Sequence, residues 1–274
     1  MSAIILFITA YDTATFGFGI TSNYTASNIC SNCDKSCSSN EACYGLCNTC
    51  STSGICVPDC MEDFTFNSCA SCCGFKFFTR DDLITAVKNY DVSLYGEMKC
   101  WDVSSITDLS NLFLGVSLNE PIGCWDVSKV TDMSHMFEQS INFDQDIGNW
   151  DVSSVTTMHK MFFSATAFNQ DISSWDVGKV MDMSWMFRSA TKYNQAIGTW
   201  NVSEVTDMGF MFSGASSFNQ DLCSWYNNLQ STTSVSEMFP SSGCTDPADP
   251  NLSTKSSFCQ ACTCIEGKKY SELG

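Results

Sequence analysis

Basic residues are scarce in this sequence. Thirteen lysines and arginines stand against 30 acidic residues, giving a formal charge of −17 over 274 residues. Such a chain repels phosphate backbones, and no basic patch interleaved with aromatics offsets the charge, so nucleic acid is excluded as a partner. Histidine is scarcer still: the chain has only two, His135 and His159. Neither belongs to a His-x-Glu pattern or accompanies a nucleophile at a strained elbow, so the chain is not expected to be an enzyme. Long apolar runs are missing too. None approaches the ~20 residues that span a bilayer, so no transmembrane segment is expected, and no lipidation motif is evident. The N-terminal apolar stretch from Ala3 to Ala10 has no basic residue before it. It reads as a poor or clipped signal segment.

Cysteine, by contrast, is abundant. Of 18 cysteines, 11 lie between Cys30 and Cys73. That density is abnormal in a reducing cytosol and normal in a disulfide-stapled extracellular or cell-surface segment. Glycosylation sequons at Asn23, Asn201 and Asn251 agree with that location. The spacing Cys30-x2-Cys33 with Cys47-x2-Cys50 matches a four-cysteine zinc site. However, Cys37 and Cys43 lie inside it and five more cysteines crowd behind it, so disulfides are the preferred reading and no cofactor is expected. The 11 cysteines up to Cys73 and the seven from Cys100 onward are both odd sets. If all pair, an odd number of bridges joins the two.

The dominant feature is a repeat. "WDVSSVTTMHKMF" at Trp150 has kin at Trp101, Trp125, Trp175 and Trp200, with a decayed copy at Trp225, in steps of 24 and then 25 residues. A fixed period of this size marks stacked coils that bury their apolar edges against one another. With the tryptophan as slot 0, slots 0, 2 and 5 hold Trp, Val and Val or Ile. Alternation there reads as a short strand. Slots 8, 11, 12 and 15 hold Met or Leu, Met or Leu, Phe and a small residue, spacings that mark one face of a short helix. The expected fold is therefore an α/β solenoid, a leucine-rich-repeat-like stack of ~25-residue strand–helix coils with a parallel sheet of ~4.8 Å spacing, preceded by a disulfide-rich segment. "TRDDLITAVKNY" reads as a helix covering the first coil, with Thr79 as its N-cap and Asp81 and Asp82 in its first turn.

This divides the chain into four parts: a leader, 1–29; a cysteine-rich segment, 30–78; the repeats with their leading helix, 79–245; and a cysteine-bearing tail, 246–274. Cys100 and Cys124 fill the same slot one coil apart, within disulfide reach of each other, and form a candidate pair. Slot 1 gives a column of acids, Asp102, Asp126, Asp151 and Asp176, that ends in Asn201. These suit turn capping. Calcium along Asp126, Asp151 and Asp176 is the alternative, and the only metal reading retained for the repeats. Slots 10 and 13 hold Leu114, Phe163, Trp185 and Phe210 beside Lys160 and Arg188. Aromatics clustered on an outward face suggest a contact surface.

"FNQDISSWDVGKVMDMSWMF", Phe168 to Phe187, and "FNQDLCSW" carry a family likeness. The repeats resemble the BspA-like repeat of surface proteins in bacteria, mycoplasmas and unicellular eukaryotes, a divergent relative of the leucine-rich repeat. The resemblance covers about 79–240 and leaves out the cysteine-rich segment and the tail. It implies an extracellular or cell-surface binding or adhesion module, with a protein or glycan ligand on another cell or matrix. It implies no catalytic residues. The alternative is a structural component of a cell covering, assembled through disulfides and calcium.

Overall fold

The computed structural model describes residues 75–253 and 258–260, and elsewhere only the backbone of the short strands Thr49–Cys50, Cys56–Val57, Ser257–Phe258 and Gln260–Ala261. These belong to two compact units, 1–75 with 91–101 and 76–90 with 102–274.

In the first unit, Thr49–Cys50 pairs antiparallel with Cys56–Val57. A one-turn helix, Val92–Tyr95, is capped by Asp91, whose carboxylate accepts from the Ser93 amide at 2.8 Å. The Tyr95 ring meets Phe75 and Trp101 edge-on at 5.3 and 5.9 Å. The Trp101 indole donates to the Tyr95 carbonyl at 3.0 Å.

The second unit opens with helix α1, Arg80–Lys88. Thr79 caps it by accepting from the Asp82 amide at 3.2 Å, with Asp81 and Asp82 in the first turn, as the sequence predicts. Leu83, Ala86 and Val87 are buried. Just ahead of it, Lys76 pairs with Asp102 in a parallel bridge, and the Phe77 amide donates to the Asp102 carbonyl at 2.9 Å. The Asp102 carboxyl sits below its ordinary value. Burial opposes its ionisation, but hydrogen bonds from Lys76 and Ser104 outweigh that.

The repeats that follow are not strand–helix units, and the expected α/β solenoid is not what forms. Among the described residues from Asp102 to Leu222 there is neither a strand nor an α-helix. Each coil is instead a chain of tight turns, joined to the next coil by a single parallel bridge at slot 7, running through Asp108, Asp132, Thr157, Asp182 and Asp207 and ending at Ser234, two residues later in the decayed copy. The destination of the amides explains why. In the coil of Trp125, the amides of Met133, His135, Phe137 and Gln139 all donate to carbonyls of the next coil, at 2.7–3.1 Å. The amides between them stay local: Met136 donates to Met133, Glu138 to His135 and Ser140 to Phe137. A helix would send every amide four residues back. Here alternate amides point along the stack, which requires left-handed backbone at His135 and Gln139, with φ of 59° and 58°. The apolar spacing at slots 8, 11, 12 and 15 fits a helix face and this turn chain equally well.

The inward slots are those the sequence implies. Met133, Met158, Met183 and Met208 are fully buried, as are Phe137, Phe162, Phe187 and Phe212. The phenyl rings form a column at 5.4–5.6 Å steps. Trp125 stacks on Trp150 and Trp175 on Trp200, both at 6.5 Å. The indoles of Trp150, Trp175 and Trp200 donate to Ile122, Ile147 and Ile172 of the preceding coil at 3.1–3.2 Å, so no buried N–H is left unpaired there. Tyr193 replaces the usual Phe at slot 18 and is fully buried, and its hydroxyl finds no partner among the described residues. Burial raises its pKa well above the ordinary tyrosine value.

The recurring Asn-Gln pair also has a structural cause. Asn169 and Asn194 accept, through their side-chain oxygens, from the backbone amides of Asn194 and Asn219 one coil on, each at 2.9 Å. Gln195 and Gln220 donate back to Asn169 and Asn194. The stack closes on a hairpin, Ser257–Phe258 with Gln260–Ala261. Phe258 is fully buried edge-on against Trp225, Tyr226 and Phe239. A disulfide from Cys244 to Cys259, Cα atoms 4.6 Å apart, fastens this cover. No helix among the described residues is long and apolar enough to cross a membrane.

Candidate partner-binding face

Slot 10 sits where the backbone must turn left-handed so that its amide can bond along the stack. Lys160, Trp185 and Phe210 occupy it with φ of 54°, 63° and 59°. Their amides donate to Ser184, Gly209 and Ser236 of the next coil at 3.0, 2.9 and 3.0 Å. Slot 13 comes back beside slot 10 because its amide donates to the slot 10 carbonyl. Phe163 donates to Lys160 and Arg188 to Trp185, each at 3.1 Å. With the matching turn at Phe210, whose carbonyl accepts from the Ser213 amide at 3.1 Å, three neighbouring coils bring all five sequence-predicted residues onto one surface.

The side chains there are half-buried and touch one another. Phe163 lies 6.0 Å from Trp185, and Trp185 lies 4.5 Å from Phe210, with tilts of 38° and 32°. The Arg188 guanidinium sits 4.2 Å over Trp185, 5.4 Å from Phe210 and 5.9 Å from Phe163. The Lys160 ammonium is 5.3 Å from Trp185 and 5.7 Å from Phe163. Cation–π contacts of this kind contribute about 0.5–1 kcal/mol each when exposed and more when desolvated. Leu114 lies two coils away from Phe163 and is 44 % exposed.

The two histidines, which the sequence analysis did not place on this face, extend it. Their rings meet at 5.1 Å. His135 shares slot 10 with Lys160 and pairs with Glu138, which shares slot 13 with Phe163. That common register was the available signal. His159 Nδ1 lies 2.7 Å from the Ser184 hydroxyl, which itself donates to Asp182 at 2.6 Å. This is not a nucleophile with its base: the serine proton is committed to the carboxylate, and Ser184 is 4 % exposed. Burial lowers the His159 pKa despite the attraction of Asp182, with His135 and Lys160 adding to the lowering.

The acidic column is built from turn caps. Asp126, Asp151 and Asp176 each accept from the amide two residues on, Ser128, Ser153 and Gly178, at 3.0–3.1 Å. Asn201 does the same for Ser203 at 3.2 Å. The hydrogen bonds from Ser153 hold the Asp151 carboxyl below its ordinary value. Among the described residues, no three His, Cys, Asp or Glu side chains converge as a metal site. Asn201 and Asn251 are exposed, while Asn23, Cys30, Cys33 and Cys47 lie outside the described residues and Cys50 is described only as backbone. Cys100, Cys124 and Cys223 are each disulfide-bonded, besides the Cys244–Cys259 pair.

Comparison with known families gives a match twice, over residues 81–182 and 147–248, to the family described as "Mycoplasma protein of unknown function, DUF285". Together the two matches cover more than half of the 274 residues. The chain belongs to the DUF285 family. No curated protein and no solved structure matches it. The double match follows the coils: each DUF285 segment takes in several tryptophan-led turns, and the two overlap in the middle of the stack.

Proposed function

We propose that this DUF285 protein is a non-catalytic binding or adhesion module of the cell surface or extracellular space, and that Lys160, Phe163, Trp185, Arg188 and Phe210 form its contact face. The resemblance of its coils to BspA-like surface repeats supports this reading, as do its five described disulfide-bonded cysteines. One observation carries it. Trp185 and Phe210 occupy left-handed backbone. For a bulky residue that conformation costs about 1–2 kcal/mol relative to a residue that adopts it readily. The coil accepts Asn111 at the same slot, with φ of 59°. Large aromatics there are therefore no requirement of the coil, and strain of this kind collects at functional sites. The rival role, a building block of a cell covering, loses end-to-end stacking as a route. Helix α1 leads into the first coil of the second unit, and the disulfide-fastened hairpin covers the last.

The test is a glycan and protein ligand array probed with the full-length, oxidised chain and with Trp185→Asn/Phe210→Asn. A ligand held by the native chain and lost by the variant is the expected result. Ligands retained in full by a folded variant would move the contact face elsewhere.

A further inference from the structure

Building on that reading, we propose that the face takes an acidic peptide segment of a protein partner, with Asp or Glu carboxylates between apolar residues. The chain has only 13 cations against 30 acids. Three of them pair with carboxylates: Lys76 with Asp102, Arg80 with Asp108 and Lys99 with Glu97. Lys160 and Arg188, like Lys88, Lys129, Lys179 and Lys192, make no ion pair among the described residues, so their charges are not already matched by a carboxylate of the chain. Both lie instead over aromatic rings.

The ring geometry narrows the ligand. Trp185 has the Phe210 ring at 4.5 Å and the Arg188 guanidinium over it at 4.2 Å. Phe163 is approached by Trp185, Lys160 and Arg188. The cations thus take up ring faces on which a neutral sugar would stack. A ligand also meets ring edges and N–H groups. Ring edges carry the positive end of the aromatic quadrupole, and a guanidinium presents a planar fork that matches a carboxylate. Both features favour an anion flanked by apolar groups. The half-buried side chains and the amides tied to the next coil hold this arrangement before any ligand arrives, which limits the ordering lost on binding.

The probe is a random copolymer of glutamate and tyrosine, titrated into the full-length, oxidised chain, with heparin and neutral dextran in parallel arms. Saturable copolymer binding is expected, weakened at least tenfold by Lys160→Gln/Arg188→Gln and by Trp185→Asn/Phe210→Asn, and weakened further by salt. Each variant is checked for an unchanged melting transition. Heparin binding that depends on Arg188, without copolymer binding, would overturn the peptide in favour of a sulfated glycan while keeping the face. Dextran binding lost only in the aromatic variant would overturn the acidic ligand and likewise keep the face. Copolymer binding untouched by either variant would overturn both the ligand and the face. No binding of any probe would overturn the acidic ligand, leaving the face to the ligand array.

Discussion

Trp125, Trp150, Trp175 and Trp200 recur from coil to coil, and so does the outer trio Phe163, Trp185 and Phe210, but the two rows answer to different demands. The tryptophans are 2–4 % exposed, and three of them donate their indole N–H to the coil before. The outer rings are half-buried, two of the three sit on left-handed backbone, and they neighbour cations as well as one another. The first row appears in every coil because the coil fails without it. The second appears in three coils, where Asn111 and His135 show that other residues serve. Recurrence alone therefore does not separate structure from function in a repeat protein. Backbone conformation and burial do.

Breaking the inner row gives the largest effect. Trp175→Ala removes a buried ring and one of the two donors to the Ile147 carbonyl, the Trp150 amide being the other. A loss of about 3–5 kcal/mol is expected by chemical denaturation, enough to unfold a marginal stack. Opening the end of the stack ranks next. The Cys244–Cys259 bridge closes a 15-residue separation, so Cys244→Ser should lower stability by about 3 kcal/mol on loop-entropy grounds. It should also expose Phe258, which early proteolysis of the tail would report.

The smallest effect concerns the acidic column. The folded pKa of Asp151 lies below its unfolded value, because the Ser153 hydrogen bonds favour the carboxylate. Its contribution is present above the unfolded value, about 3.9, and is lost as pH falls through the folded one. Asp151 is exposed, so the contribution is small. Asp151→Asn keeps a cap like that of Asn201. It should melt like the native chain at neutral pH and lose slightly less on acidification below about pH 4.

The period, the inward slots and the leading helix were legible in the sequence. Thr79, Asp81 and Asp82 are standard helix-start chemistry, and the Trp, Val, Met and Phe positions repeat without ambiguity. The strand and helix assignments were not legible. A left-handed position is usually marked by Gly or Asn, and slot 10 shows that mark only at Asn111. With His, Lys, Trp and Phe in the later coils, slot 10 did not announce that alternate amides leave for the next coil, and the second left-handed position, slot 14, carries glycine only at Gly115 and Gly214. The five residues proposed for the contact face were chosen from slot register alone. The cation–π packing among them and the histidines beside them depend on that hidden turn geometry.

The most direct test of the central claim, that the outer row is dispensable for folding, is the thermal melting of Trp185→Asn/Phe210→Asn against the native chain. Lost ring contacts and relieved backbone strain offset each other to within ~1–2 kcal/mol. At roughly 2–4 °C per kcal/mol for a domain of this size, the account predicts a Tm within about 5 °C of native. A Tm lower by more than about 10 °C would show that the outer rings belong to the core, and would contradict it.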